Sequence, residues 1–221
     1  MSESETPAPS AAASLADARP PKAANRLEAM KREIGNLPNM ITVGRLFLIP
    51  PCLLLMREAD PVSSFLAMLI FLFAAFLDVV DGWLARRRGL VTFFGKFVDP
   101  LADKVMVTAL LVELAAIERV RPFVVILLLS RELYISGLRM MALKEEVEIV
   151  ADAGGKAKTA FQMIGICFLM VHFSYEMPWG GWVDFHRVGT VFIYGGLVAA
   201  YVSALSYTWG FINEMERKED Y

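Results

Sequence analysis

The sequence predicts an all-α, polytopic membrane protein: six transmembrane helices, preceded by an N-terminal juxtamembrane amphipathic helix. Three observations lead there. Apolar residues make up 56% of the 221 positions, above the roughly 45–50% usual in soluble domains. Mean hydropathy is positive, at +0.48. Beyond Pro38 the apolar residues gather into six stretches, each near the ~20 residues of helix that a bilayer core requires. Charge narrows the class further. The 22 Lys and Arg against 24 Asp and Glu leave a formal net charge of −2, without the basic surplus that nucleic acid binding demands. Cys52 and Cys167 both sit in apolar runs and read as packed thiols, too few for a zinc site or a disulfide framework.

The elements follow in order. Residues 1–25 are rich in Ala, Ser and Pro and hold no apolar run behind a basic start, so they read as a disordered tail rather than a secretory signal. In 26–37, "RLEAMKREIGNL", Leu27, Met30 and Ile34 share one helical stripe, with Arg26, Lys31 and Arg32 off it. That pattern suits an amphipathic helix lying in the membrane interface; a solvated linker is the plainer alternative. Six membrane helices are expected over 39–56, 61–77, 97–117, 122–143, 159–174 and 188–213, forming one domain from 38 to 213, with 214–221 as a cytoplasmic tail. The second, fifth and sixth carry no formal charge. The first carries Arg45, the third Asp99, Asp103, Lys104 and Glu113, and the fourth Arg131, Glu132 and Arg139. Charge inside a bilayer is costly and faces a cavity, so the third and fourth helices are where function is sought.

With six spans, sixteen Lys and Arg fall on one side and four on the other. The excess places both termini in the cytoplasm. Asp78, Asp81, Asp99, Asp103 and Arg139 then lie toward the cytoplasmic helix ends. Trp179 and Trp182, in the 174–187 connection, fall at the opposite interface, where an aromatic belt is expected. His172 and His186 share that side and are given no catalytic role. No internal repeat is present, which speaks against an inverted-repeat transporter.

The informative stretch is 77–104, "LDVVDGWLARRRGLVTFFGKFVDPLADK". Asp78 and Asp81 are three apart, about 60° round a helix, and Asp99 and Asp103 are four apart, about 40° round. Each pair lies on one helical face, and a short basic connection makes the two helices antiparallel neighbours. Four carboxylates gathered at low dielectric repel one another, and one or two divalent cations remove the repulsion. All-oxygen ligation suits Mg²⁺ or Mn²⁺ better than zinc, and two such ions suit a diphosphate substrate. Gly82, Ala85 and Gly95 lie on or beside the carboxylate face, where small residues let backbones approach or admit a flat base. Arg86 follows and can pair with a phosphate.

These residues spell D-x2-D-G-x2-A-R-x8-G-x3-D-x3-D, as Asp78, Asp81, Gly82, Ala85, Arg86, Gly95, Asp99 and Asp103. At all eight fixed positions the stretch resembles the signature of the CDP-alcohol phosphatidyltransferase family. The resemblance implies a six-helix membrane fold, commonly a homodimer. It implies transfer of a phosphatidyl or related group from a CDP-linked donor to an alcohol, with release of CMP. By position, Asp78, Asp81, Asp99 and Asp103 then correspond to metal ligands, Asp103 also to the general base, and Gly82, Arg86 and Thr92 to contacts with the donor. Donor contacts are also implied near Asn39 and Thr42, which on their own read as a helix cap and a helix residue.

Three further segments, 36–50, 130–142 and 155–163, resemble the branch of that family that makes phosphatidylglycerophosphate in bacteria. The resemblance covers about residues 36–212, and it implies CDP-diacylglycerol as donor, glycerol 3-phosphate as acceptor and a bacterial inner membrane as location. Arg139, Arg131, Lys156 and Lys158 supply positive charge for an acceptor phosphate, Arg139 nearest the cytoplasmic mouth. The plainer readings are an internal Arg131–Glu132 pair and solvated loop charges at Lys156 and Lys158. Arg45 either snorkels to the interface or walls the donor site. The rivals are another acceptor in the same family (phosphatidylglycerol, inositol phosphate or serine), a divalent-cation or proton transporter, and an inactive adaptor. A one-sided charge cluster weighs against transport.

Overall fold

The protein is described by a computed structural model covering residues 37–88, 93–145, 147 and 153–219, with side chains excepted at 37–39, 85, 86, 88, 93–100, 153–157 and 219. The tail at 1–25, residues 26–36 of the amphipathic segment expected over 26–37, and Thr92 lie outside the described residues.

The chain opens with α1 (Leu37–Leu46) and α2 (Ile49–Arg57), one apolar run broken by a turn at Phe47 and Leu48. The break follows from Pro50 and Pro51. Neither has an N–H for the carbonyls of Leu46 and Phe47, so both belong in the first turn of a new helix. Next comes α3 (Pro61–Arg88). Asp60 caps it, its Oδ1 accepting from the amides of Val62 at 2.9 Å and Ser63 at 3.1 Å. Hydrogen bonds from the Ser63 hydroxyl and these amides hold the Asp60 carboxyl below the usual carboxylate range. The chain continues through α4 (Phe93–Ala116), α5 (Pro122–Lys144) and α6 (Ala153–Val171). Strands β1 (Ser174–Glu176) and β2 (Trp182–Asp184) then pair antiparallel before α7 (Phe185–Glu219). The hairpin turns through Gly180 and Gly181, whose φ values of 83° and 101° suit glycine.

The expectation of six transmembrane helices is corrected here. Among the described residues three helical runs are long and apolar enough to cross a bilayer: Met40–Arg57, Pro61–Leu84 and Phe185–Lys218. Charge accounts for the difference. Asp103, Lys104 and Glu113 interrupt α4, and Arg131, Glu132 and Arg139 interrupt α5. Among the described residues of α6 the apolar run is Lys158–Val171. The architecture is all-α apart from the hairpin, with several long apolar helices as in a multi-pass membrane protein.

Packing agrees with an apolar surrounding. Cys52, Met56, Phe71, Leu110, Leu114, Leu128, Ile166, Leu169 and Ile193 form one buried core. Yet Phe47, Phe65, Phe73, Phe76, Leu133, Met140, Val191 and Leu205 face outward on many helices rather than in one patch. Such a surface is stable in lipid, where the helical backbone satisfies its own polar groups. The closest helix pair is α6 with α7. A Cβ at Gly189 would stand 2.8 Å from the Leu169 amide nitrogen, so these backbones meet only because residue 189 has no side chain.

Candidate active site

The carboxylate end of α3 is built against α1. Thr42 and Arg45 lie one turn apart on α1, and Asp78 and Asp81 one turn apart on α3. The Thr42 hydroxyl donates to Asp81 Oδ2 at 3.1 Å, both residues buried. Arg45, 1% exposed, forms an ion pair through Nη1 with the half-buried Asp78. The two helices are thus tied by polar pairs at a depth where polar groups must find partners.

Three more helices bring charge to the same end. Asp103 on α4 lies within electrostatic reach of Asp78, Arg45, Lys158 and Glu132. Glu132 on α5 is the hub between cations. It accepts from Lys158 on α6 and from Arg131 Nη1 at 3.1 Å, and feels Lys104 on α4. Lys104 itself donates to the Ser136 hydroxyl at 2.6 Å. Lys158 is buried and Glu132 partly exposed, so water screens the pair from the Glu132 side only.

The expected residues separate in three ways. Asp78, Asp81, Asp103, Thr42 and Lys158 come to this end of the bundle together, with Gly82 half-buried beside Asp81. Arg131 and Arg139 also make contacts with α7. Arg131 turns into the α5–α7 contact, where Nε donates to the Ala200 carbonyl at 2.9 Å and Nη2 to Ser203 at 3.3 Å. Exposed Arg139 stands over the Tyr207 ring, 5.8 Å from its centroid. Asn39, Ala85, Arg86, Gly95, Asp99 and Lys156 have helical backbones, but their side chains lie outside the described residues. Glu132 as the partner of Lys158 is the contact the sequence did not suggest.

Among the described residues no three His, Cys, Asp or Glu side chains are grouped as a metal site. The Asp99 side chain is not among them. The donor set at hand is carboxylate oxygen from two helices, the chemistry that Mg²⁺ and Mn²⁺ take.

At the other end Arg119 is the anchor. It donates to the carbonyls of Met170 at 2.6 Å and Leu169 at 3.4 Å and to Ser64 at 3.0 Å, neutralising the C-terminus of α6. Polar order at this end holds helices and the hairpin; no carboxylate cluster of the first kind is described there.

An apolar helical bundle with carboxylates, a buried lysine and a buried arginine gathered at one end has the outline of a multi-pass membrane protein with one charged site. Comparison with known proteins makes this specific. The sequence profile described as CDP-alcohol phosphatidyltransferase matches residues 35–202. The chain belongs to that family. A CDP-diacylglycerol–glycerol-3-phosphate 3-phosphatidyltransferase of Bacillus subtilis is 38% identical over 149 residues, covering 62% of this chain and 77% of the relative. An enzyme of the same name from Haemophilus influenzae is 32% identical over 187 residues, covering 82% and 92%. A probable phosphatidylglycerophosphate synthase of Mycobacterium tuberculosis is 36% identical over 149 residues, covering 66% and 71%.

Proposed function

We propose that the protein transfers the phosphatidyl group of CDP-diacylglycerol to the sn-1 hydroxyl of glycerol 3-phosphate, giving phosphatidylglycerophosphate and CMP. The observation that carries this acceptor is buried Lys158, held by Glu132 in reach of Asp103. A phosphorylated acceptor needs such a cation beside the reacting centre. An unphosphorylated acceptor, such as serine, leaves it without a partner in the reaction.

In this reading the acyl chains of the donor stay in lipid and its nucleotide enters the carboxylate end of the bundle. Asp78, Asp81, Asp99 and Asp103 would hold Mg²⁺ or Mn²⁺, two ions by the number of carboxylates. When bound, the metal supplies positive charge to the diphosphate. Gly82, Ala85 and Gly95 leave room for the nucleotide, and Asn39, Thr42, Arg86 and Thr92 contact it. Lys158 is the first cation offered to the acceptor phosphate, with Lys156 and Arg139 at the approach, and Arg131 acts through Glu132. Asp103 takes the proton of the acceptor hydroxyl. That oxygen forms a bond to the phosphorus bearing the diacylglycerol; the bond from that phosphorus to the CMP oxygen breaks, and CMP leaves with the electron pair. Placement and electrostatics supply most of the rate in such a displacement. In this reading the carboxylate end faces the cytoplasm of a bacterial inner membrane, on the side favoured by the Lys and Arg excess. The resemblance adds a homodimer, which sizing in detergent tests.

The test is incorporation of radiolabelled glycerol 3-phosphate into lipid by purified protein in micelles with CDP-diacylglycerol and Mg²⁺. Label in lipid, matched by CMP and abolished by chelation, supports the reaction. CMP release only with another acceptor overturns the acceptor assignment.

A further inference from the structure

Among the described residues Arg45 is the largest side chain fully withdrawn from solvent, at 1% exposure. It sits inside the apolar run Met40–Arg57, where an ionised group is expensive unless fully partnered. A guanidinium presents five donors in a rigid fork. Asp78 meets one of its nitrogens, Nη1. Among the described residues Nε and Nη2 have no hydrogen-bond partner. Buried donors in a native structure are nearly always satisfied, so a buried fork whose donors find few partners among the described residues calls for an acceptor.

Position indicates which acceptor. Arg45 lies one helical turn from Thr42, which binds Asp81, and its own contact is Asp78. The guanidinium is therefore held at Asp78, one of the α3 carboxylates of the proposed diphosphate site. An Arg fork matches two oxygens of one phosphate group. We infer that Arg45 binds phosphate oxygens of the nucleotide-linked donor, and that Asp78 holds its guanidinium in place before the donor arrives. Asp78 would then be one of the carboxylates available to hold a cation, while the donor phosphate occupies the Arg45 fork. This inference rests on the proposed reaction for the identity of the anion.

The test compares wild type, Arg45→Gln and Arg45→Lys in micelles, with separate KM values for donor and acceptor. Thermal shift with CDP and Mg²⁺ gives a second readout that needs no turnover. Expected for Arg45→Gln is a rise in donor KM of about tenfold or more, one lost charge-assisted bond, with acceptor KM little changed. The CDP-induced shift in melting falls with it. If Arg45→Gln does not fold, Arg45→Lys carries the test, because it keeps a cation for Asp78 while lacking the fork; a raised donor KM at normal melting is then expected. Unchanged donor KM and an unchanged CDP shift in the folded variant would overturn the inference and leave Arg45 as a counter-ion of Asp78. A wild type that is stabilised by CDP but transfers nothing to glycerol 3-phosphate overturns the acceptor reading instead, and the loss of that stabilisation in the variants still decides Arg45.

Discussion

Lys158, near the start of α6, reaches across to Glu132 in the middle of α5, and the pair, 26 positions apart in the chain, joins the two helices. Removing either partner separates two effects. Lys158→Gln is expected to raise the KM for glycerol 3-phosphate about tenfold, one charge-assisted bond, and to leave the donor KM near wild type. Glu132→Gln leaves Lys158 and Arg131 short of their shared anion, and is expected to lower stability by about 2 kcal/mol, less than for a fully buried pair because Glu132 is partly exposed. Steady-state kinetics and chemical unfolding in detergent check the two outcomes.

The contact between α6 and α7 gives a prediction about the fold alone. A methyl at residue 189 meets Leu169 backbone and side chain at 2.8 Å, and neither neighbour is a flexible chain end. Gly189→Ala is expected to destabilise by about 1–3 kcal/mol through overpacking. A melting curve in detergent measures it, and the donor and acceptor KM of the folded fraction should not move.

How much of this was legible beforehand depends on the range of the interaction. Asp78, Asp81 and Asp103 could be read because their spacing along two helices fixes a shared face before any packing is known. The break at Phe47 was also within reach, since Pro50 and Pro51 force it by local sterics. Arg131 was not: its neighbour Glu132 is local, but its bonds to Ala200 and Ser203 come from the rotation of α5 against α7, which periodicity does not encode. The Lys158–Glu132 pair was hidden for the same reason. The count of six spans failed where hydropathy and charge compete, because α4 and α5 keep apolar outer faces while placing charge within their length. The hairpin had a local sign in the adjacent glycines Gly180 and Gly181, outweighed by the nearby tryptophans that suggested only an interfacial loop.

The opposite end of the molecule carries a pH-dependent element. Nδ1 of His172 and Nδ1 of His186 lie 3.1 Å apart, their rings edge to face at 78°. Burial first, then the positive charge of Arg119 and the His186 ring, holds His172 below its ordinary value of 6.5, against a smaller pull from Asp184. The folded protein therefore binds this proton more weakly than the unfolded chain. Stability contributed above pH 6.5 is lost as pH falls below it, toward the lowered folded value. Melting temperature in detergent is expected to drop over that interval, and His172→Gln is expected to flatten the drop.

Chelation offers a direct check on the carboxylate end. Activity is expected to vanish in EDTA and return with Mg²⁺ or Mn²⁺ but not with zinc, in line with all-oxygen ligation. Asp81→Asn is expected to reduce kcat at least a hundredfold while the protein still folds, because the asparagine oxygen can keep accepting from Thr42.

The most direct measurement of the central claim is an acceptor competition with purified protein, CDP-diacylglycerol and Mg²⁺. Glycerol 3-phosphate, inositol phosphate, serine and phosphatidylglycerol are supplied together, and the lipid products are separated, with Asp103→Asn as control. Phosphatidylglycerophosphate as the dominant product, with equal CMP and neither formed by the variant, is the predicted result. A different lipid product, or undiminished transfer by Asp103→Asn, would contradict it.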